Sequence, residues 1–405
     1  MENIGLKASV FETDGNPIVF GETLQRKGLP TILFYGHYDV QPEGDLSKWE
    51  SDPYKPEVRD GKIFARGAGD NKGQFFANLK GLEAYQATHD DLPVNVKFLC
   101  EGEEENGSRS LLPFVKSHKS LLKADVTIWS DSNIHASGRP MLILGLKGIC
   151  YVKFTAHGPT RDIHSMYAPV LENPVWTLIR LFSELKDKND KVNIPGFYFG
   201  ALQPGEAEKK VIRDIPADLT SFKKDWQVDS LLGAENPEEF YTRYIYSPTL
   251  NIGCINAGLI EGAKNIVPSV ATAFVDMRLV PGQNSQKIIQ SLRDYVKALG
   301  FGNVEIEARG DNASFTPMDN PFVEILKNIL KDVWNKEPVI LPGLGGSGPF
   351  NVFNECLEAP CIMLPYAYPD QHDHGPNESM SIEGLMLGIQ TCATIINRFQ
   401  KNQPH

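Results

Sequence analysis

Thr31-Ile32-Leu33-Phe34-Tyr35-Gly36-His37-Tyr38-Asp39-Val40 decides how this 405-residue chain is read. Its first five residues form an unbroken apolar run, the pattern of a strand covered on both faces. In open α/β sheets, ligands bind just past the carboxyl ends of such strands. A His and an Asp two residues apart in extended chain point the same way. His37 and Asp39 are therefore expected to aim together into a crevice. A capped strand end with a satisfied imidazole is the plainer alternative. It loses ground because three later strand ends also finish in ligand-type residues.

Working outward, residues 8–35 predict a hairpin feeding the buried strand, with Asp14-Gly15 as its turn. Residues 41–69 are rich in Pro, Gly and charge, and predict a long loop with a short strand at Lys62-Ile63-Phe64-Ala65. Gly67, Gly69 and Asp70 open a helix whose apolar face is Phe75, Phe76, Leu79, Leu82 and Tyr85. Asp70 falls where an N-cap belongs. A strand over 94–100 runs directly into Glu101, Glu103, Glu104 and Glu105. A helix carrying Leu111, Leu112, Phe114 and Val115 leads to a strand over 125–129, which ends in Ser130-Asp131-Ser132. Strands alternating with helices predict an α/β fold, a mostly parallel sheet with helices on both faces.

The pattern changes near residue 146. Segments 149–156 and 271–279 alternate apolar and polar, as half-buried antiparallel strands do. Amphipathic helices over 174–185 and 285–299, and a strand over 303–308, complete a compact α+β unit of ferredoxin-like kind. The polar segment 187–247 has too weak a period to be assigned. Helical and buried-strand patterns resume at 322–334, 339–341 and 361–364. The expectation is a catalytic domain, 1–146 and 312–405, interrupted by a second domain, 147–311.

Composition narrows the function. Hydrophobic content of 41% and charged content of 22% are those of an ordinary globular protein. A net charge of −11 argues against nucleic-acid and anionic-membrane partners. The cysteines at 100, 150, 254, 356, 361 and 392 form no CxxC pair, which fits reduced thiols in the cytoplasm. No signal-peptide pattern opens the chain, and no apolar run reaches membrane-spanning length.

An acidic run is usually a solvated turn. This one follows an apolar strand at the edge that carries His37, where adjacent carboxylates repel unless a cation or shared proton compensates. Asp131 adds another, and His372-Asp373-His374 brings imidazoles after the last strand. Candidate ligands are then His37, Asp70, Glu105, Asp131 and His374, too many for one tetrahedral zinc. They suit two metals sharing a carboxylate. A second Glu beside a ligand Glu can serve as general base.

At these motifs the chain resembles the dizinc metallopeptidase superfamily of carnosine-type dipeptidases, acetylornithine deacetylase, succinyl-diaminopimelate desuccinylase, aminoacylase and glutamate carboxypeptidases. The matches are GHYDVQP (36–42), ARGAGDNKGQ (65–74), EGEEENGS (101–108), SDS (130–132), RDIHS (161–165), RLVPGQ (278–283) and HGPNE (374–378), in the family's order. The resemblance implies that Asp70 bridges two divalent ions, zinc first with manganese or cobalt as alternatives. His37 and Asp131 would hold one ion, Glu105 and His374 the other. Glu104 would be the base and Asp39 would orient His37. Only the HGPNE match selects His374 over His372. The inserted unit would be the family's lid and homodimerisation domain, with His164 reaching the partner's site to stabilise an oxyanion.

Gly343-Leu344-Gly345-Gly346-Ser347-Gly348 lacks the GK[ST] of a phosphate loop. In the family the equivalent loop contacts the substrate carboxylate, here through Ser347 and backbone N–H groups such as that of Gly346. Arg278 is a surface cation or a planar clamp for the same carboxylate. Asn265 is a turn residue or a donor to substrate. His89, His118, His135 and His157 are taken as structural. The expected activity is amide hydrolysis of a dipeptide, because loop lengths and the Lys147-Gly148-Ile149-Cys150-Tyr151 strand look most like the dipeptidase branch. An N-acyl amino acid is the near alternative, and a catalytically inactive metal-dependent binding protein the distant one. The loop Ser165-Met166-Tyr167-Ala168-Pro169 departs from the glycine-rich version of the dipeptidases. The family also carries a helical segment before the first hairpin, so exposed apolar core surface or a start site further upstream is expected.

Overall fold

The computed structural model describes residues 1–258 and 264–399. The apolar run becomes the strand Thr31–His37, paired in parallel with Asn95–Glu101 on one side and Val126–Trp129 on the other. Cys361–Met363 continues the parallel set next to Val126–Trp129. The antiparallel hairpin Lys7–Phe11 and Ile18–Glu22 extends one edge, and Met141–Ile143 with Val339–Leu341 the other, giving eight strands. Ile32, Leu33, Phe34 and Tyr35 are all 0% exposed, so neither face of this strand meets water. Ile32 and Phe34 share a core with the helices Gln74–Gln86, Pro321–Trp334 and Ile382–Arg398. Leu33 and Tyr35 share the opposite core with Leu111–Ser117.

The second unit is a four-stranded antiparallel sheet in the order Thr249–Asn256, Val270–Leu279, Gly148–His157, Glu305–Asp311. Its helices, Pro174–Leu185 and Ser285–Ala298, pack on the face formed by Cys150, Val152, Phe154 and Ala156. Strand, helix, two strands, helix, strand in this order is the ferredoxin-like arrangement.

The unassigned segment holds three helices, Glu206–Arg213, Leu219–Trp226 and Pro237–Tyr246. Each spans only two or three turns, too short to display a clear period. Ile212, Ile215, Tyr241 and Ile245 are buried in the second core of the large sheet, not in the ferredoxin-like core. This stretch of the second unit therefore leans on the first.

Of the two readings of Asp70, N-cap and ligand, the cap does not hold. The helix starts at Gln74, and Gly73 before it offers no side chain. Asp70 has an extended backbone, φ −117° and ψ 95°. Its carboxylate is turned instead toward two imidazoles. The short strand appears as Lys62–Phe64, between Glu57–Arg59 and Ser379–Ser381. That pairing brings the 371–378 loop against the Gly67–Asp70 turn.

Glu101 ends its strand beside His37 and is buried. Its Oε1 accepts the Tyr35 hydroxyl at 2.5 Å and the Ser108 hydroxyl at 2.8 Å. Burial pushes its carboxyl from an ordinary 4.5 up to about 7, against the pull of those two hydrogen bonds. The folded chain thus keeps this proton to higher pH than the unfolded chain does. Its contribution to stability declines as pH rises from about 4.5 to about 7 and is level beyond. Glu101→Gln removes that titration. Urea unfolding should find the variant gaining about 2 kcal/mol relative to the parent between pH 5 and pH 8. Equal pH slopes in both proteins would mean that Glu101 does not titrate in this range.

Candidate active site

The carboxyl ends of the parallel strands and the two facing loops meet at one point. His37 Nε2 lies 3.1 Å from Asp70 Oδ1 and 3.4 Å from Asp131 Oδ2. His374 Nε2 lies 3.1 Å from Asp70 Oδ2 and 3.2 Å from Glu105 Oε2. Two ligand groups result, His37–Asp70–Asp131 and Asp70–Glu105–His374, and Asp70 gives one oxygen to each. All five sequence-expected ligands are brought together. His372 belongs to neither group.

Asp39 serves two purposes. His37 Nδ1 is 3.2 Å from both its Oδ1 and its backbone carbonyl, so Nδ1 carries the proton and Nε2 faces the cluster. The same carboxylate accepts the backbone N–H of Glu104 at 3.3 Å and of Glu105 at 3.0 Å. One side chain thus sets the imidazole and the acidic turn together.

The acidic run divides by direction. Glu101 faces Tyr35 and Ser108, as above. Glu103 accepts the Ser110 N–H at 3.0 Å and lies against Gly15 of the first hairpin. Glu105 joins the ligands, and Gln41 Nε2 donates to its Oε2 at 2.8 Å. Glu104 lines the cavity over the cluster. Burial, followed by the charges of Asp131, Asp70 and Glu101, raises its carboxyl well above the usual range, while His37 pulls the other way.

The residues fit divalent cations. His37 Nε2 is buried with no hydrogen-bond partner, although two carboxylates stand within 3.4 Å. Burial alone would lower the His37 imidazole, yet the surrounding carboxylates of Asp131, Asp39 and Asp70 lift it well above its ordinary value. Asp70 and Glu105 raise His374 to about 10. Protons on these rings stand in for positive charge that the carboxylates demand. Mixed imidazole and carboxylate donors suit zinc and its neighbours.

The model of the peptidase family M20/M25/M40 matches residues 33–398. The chain belongs to this family. It is 28% identical over 396 residues to the Beta-Ala-His dipeptidase of Rattus norvegicus, covering 95% of this chain and 80% of that one. It is 27% identical over 400 residues to the Cys-Gly metallodipeptidase dug1 of Schizosaccharomyces pombe, covering 96% and 84%. Among solved structures, the M20 family metallo-carboxypeptidase Sso-CP2 from Sulfolobus solfataricus superposes with a TM-score of 0.94 at 31% identity, covering 99% of this chain and 92% of that one. Human carnosine dipeptidase 1 superposes at 0.82 with 25% identity, covering 99% and 89%.

On the substrate side of this M20 peptidase, a cavity of about 430 Å³ opens over Glu104, Glu105 and His374. Ser347 lines it, and Arg278 Nη1 donates to the Ser347 hydroxyl at 2.8 Å, so these two expected residues meet beside Gly346. His164 and Asn265 are not brought to the cavity. They sit together on an exposed two-stranded antiparallel ribbon, where Ile163–His164 pairs with Ile266–Val267 and the Asn265 carbonyl accepts the Ser165 N–H. Of the other histidines, His89 stacks on Tyr85, His118 on Phe114, and His157 pairs with Glu305 at the surface.

Sequence reasoning missed Glu378, Asn71, Gln41 and Lys147. Glu378 is 1% exposed. Its Oε1 accepts the N–H of Gly69 and Asp70 at 3.0 and 2.9 Å, and its Oε2 that of Gly67 at 2.9 Å and Arg66 Nη1 at 2.7 Å. Asn71 accepts the His37 N–H through Oδ1 and donates to the Ser130 carbonyl through Nδ2, tying two strand ends. Only the HGPNE motif hinted at Glu378. Asn71 and Gln41 lie inside the ARGAGDNKGQ and GHYDVQP motifs and Lys147 opens the 147–151 strand, but nothing in those motifs marked their side chains for a role at the site.

Asp70→Ala should abolish both ion sites at once, because one carboxylate serves each group. Glu378→Ala should weaken both by at least tenfold, since the turn that presents Asp70 loses four hydrogen bonds. Elemental analysis and calorimetric metal titration check this. Retention of one full-affinity site in Asp70→Ala would show that the two groups are independent.

Proposed function

We propose that this chain hydrolyses the amide bond of a dipeptide, or a similarly small peptide with a free carboxylate, at a dinuclear centre. The observation that carries the reading is the Asp70 carboxylate, with Oδ1 3.1 Å from His37 and Oδ2 3.1 Å from His374. Similarity to the Rattus and Schizosaccharomyces dipeptidases supports a dipeptide, and similarity to the Sulfolobus metallo-carboxypeptidase supports a free carboxylate. His37 and Asp131 would hold one ion and Glu105 and His374 the other, with Asp70 between them. Two divalent cations there, zinc first, would polarise the scissile carbonyl and make a water nucleophilic near neutral pH.

The chain's own residues do the rest. Glu104 takes a proton from the attacking water and returns it to the leaving amine. Its raised carboxyl suits a group that must both accept and release a proton. Asp39 fixes the His37 ring and the turn that carries Glu104. Arg278, Ser347 and the backbone at Gly346 hold the substrate carboxylate.

We read 1–146 and 312–405 as the catalytic domain and 147–311 as a lid through which two copies pair. His164 is exposed and does not line the cavity of its own chain, which supports action on the partner's site, with Asn265 beside it. Six cysteines without disulfide partners support a cytoplasmic setting.

Glu104→Gln should keep metal and substrate binding while kcat falls about 10²–10⁴-fold. Steady-state rates with calorimetry on the metal-loaded variant decide it, and a near-parental kcat would remove Glu104 as base. His164→Ala and Glu104→Ala chains should each be inactive alone. Mixed under subunit exchange they should recover activity, because one hybrid site joins an intact Glu104 to an intact partner His164. Exchange demonstrated by mass spectrometry without recovery would rule out action in trans.

A further inference from the structure

A second cavity adjoins the first, and the reaction above leaves it unused. It encloses about 700 Å³ between the Leu219–Trp226 and Pro237–Tyr246 helices, the loop after Asp131 and the end of Val270–Leu279. Lys147 lines both cavities. The chambers therefore meet at Lys147.

The wall is aromatic. Trp226, Phe222, Phe240 and Tyr244 form a ladder of stacked rings with successive centroids 5.2, 5.2 and 6.0 Å apart. The ladder's inner end reaches the carboxylate anchor. Tyr244 packs on Gly345, where a Cβ would collide with its ring. Arg278, which donates to Ser347, lines this chamber too. The outer wall is open: Trp226 is 52% exposed and Leu232 67%.

Two cations share the junction. Lys147 is 4% exposed, and its Nζ donates to the Ser247 carbonyl at 2.7 Å. The carboxylate nearest Arg278 is Asp276, 3.8 Å away. Burial, and then the charge of Arg278, pushes the Lys147 amine down to about 8. An anion at the junction would relieve this repulsion. Asn133, two residues after Asp131, also lines the chamber, and its Oδ1 is buried without a hydrogen-bond partner.

We propose that this chamber receives the side chain of the substrate's carboxylate-bearing residue, and that it selects a large apolar or aromatic one. A residue whose carboxylate rests between Arg278, Lys147 and Ser347 has its Cα at the chamber mouth. A phenyl or branched alkyl group entering there leaves water for stacked rings. Glycine leaves the chamber to water. The choice of bond cut rests on the amide-hydrolase reading above; the choice of side chain rests on the chamber.

The test compares Ala-Phe with Ala-Gly on the metal-loaded full chain. Ala-Phe should have the higher kcat/KM by roughly tenfold or more. Trp226→Ala and Leu232→Ala, both at exposed positions, should each shrink that ratio several-fold, mainly through KM. No preference in the parent, or equal losses on both dipeptides, overturns the proposal. Binding is measured separately, by calorimetry of N-acetylphenylalanine and N-acetylglycine with Glu104→Gln protein. The phenylalanine compound should bind roughly tenfold tighter, and Trp226→Ala in that background should erase the advantage. Tighter binding of it without hydrolysis of either dipeptide would keep the chamber and overturn the dipeptidase reading. Equal binding of the two compounds would overturn the chamber.

Discussion

Glu378 holds the centre together from beneath. A buried carboxylate must be hydrogen-bonded, and this one accepts three backbone N–H groups and a guanidinium N–H. Those bonds curl the 67–70 turn so that Asp70 faces two imidazoles instead of capping the helix behind it. They also join residues about 310 positions apart, so the bridge forms only once the C-terminal third has docked. The Ser379–Ser381 strand, paired with Lys62–Phe64, brings Glu378 to that position. Everything at the site that depends on Asp70 depends first on this hidden acid.

Above Glu378 the problem is repulsion. Asp70, Asp131, Glu104 and Glu105 crowd one strand edge, and two imidazoles oppose them. Proteins tolerate such density where a cation is to be held. The sheet supports it with rigidity. Asn71 ties the end of the His37 strand to Ser130, and Asp39 ties that strand to the Glu104 turn. The ligands are thus fixed before any ion arrives, which keeps the cost of ordering them out of the binding step.

Much of this was legible in the sequence. A strand covered on both faces needs apolar bodies at successive positions, and 32–35 shows that plainly. Carboxylates and imidazoles directly after such strands have few other reasons to be there. What stayed hidden was of another kind. Glu378 and Asn71 work on backbone groups, and such contacts leave no periodicity. Glu103 and Glu104 are neighbours of one type that residue chemistry alone does not separate; the family resemblance pointed to Glu104, and the turn's geometry sends Glu103 to the hairpin and Glu104 to the cavity. Asp70 looked like a cap because an Asp before a helix usually is one. The helices of 206–246 are short and interleave charged with apolar residues, so their apolar positions show no readable period.

Those helices have a mechanical consequence. The chain crosses between the two sheets near residues 147 and 312. A body joined at two points can swing about the line through them. The 202–246 segment adds a further attachment, with Ile212 and Tyr241 sunk in the large sheet's core and the Leu202 N–H bonded to the Pro281 carbonyl of the ferredoxin-like unit. A free hinge becomes a braced one. Any wide opening must first draw buried side chains out of a packed core. Small shear, not a swing, is the motion this frame leaves open.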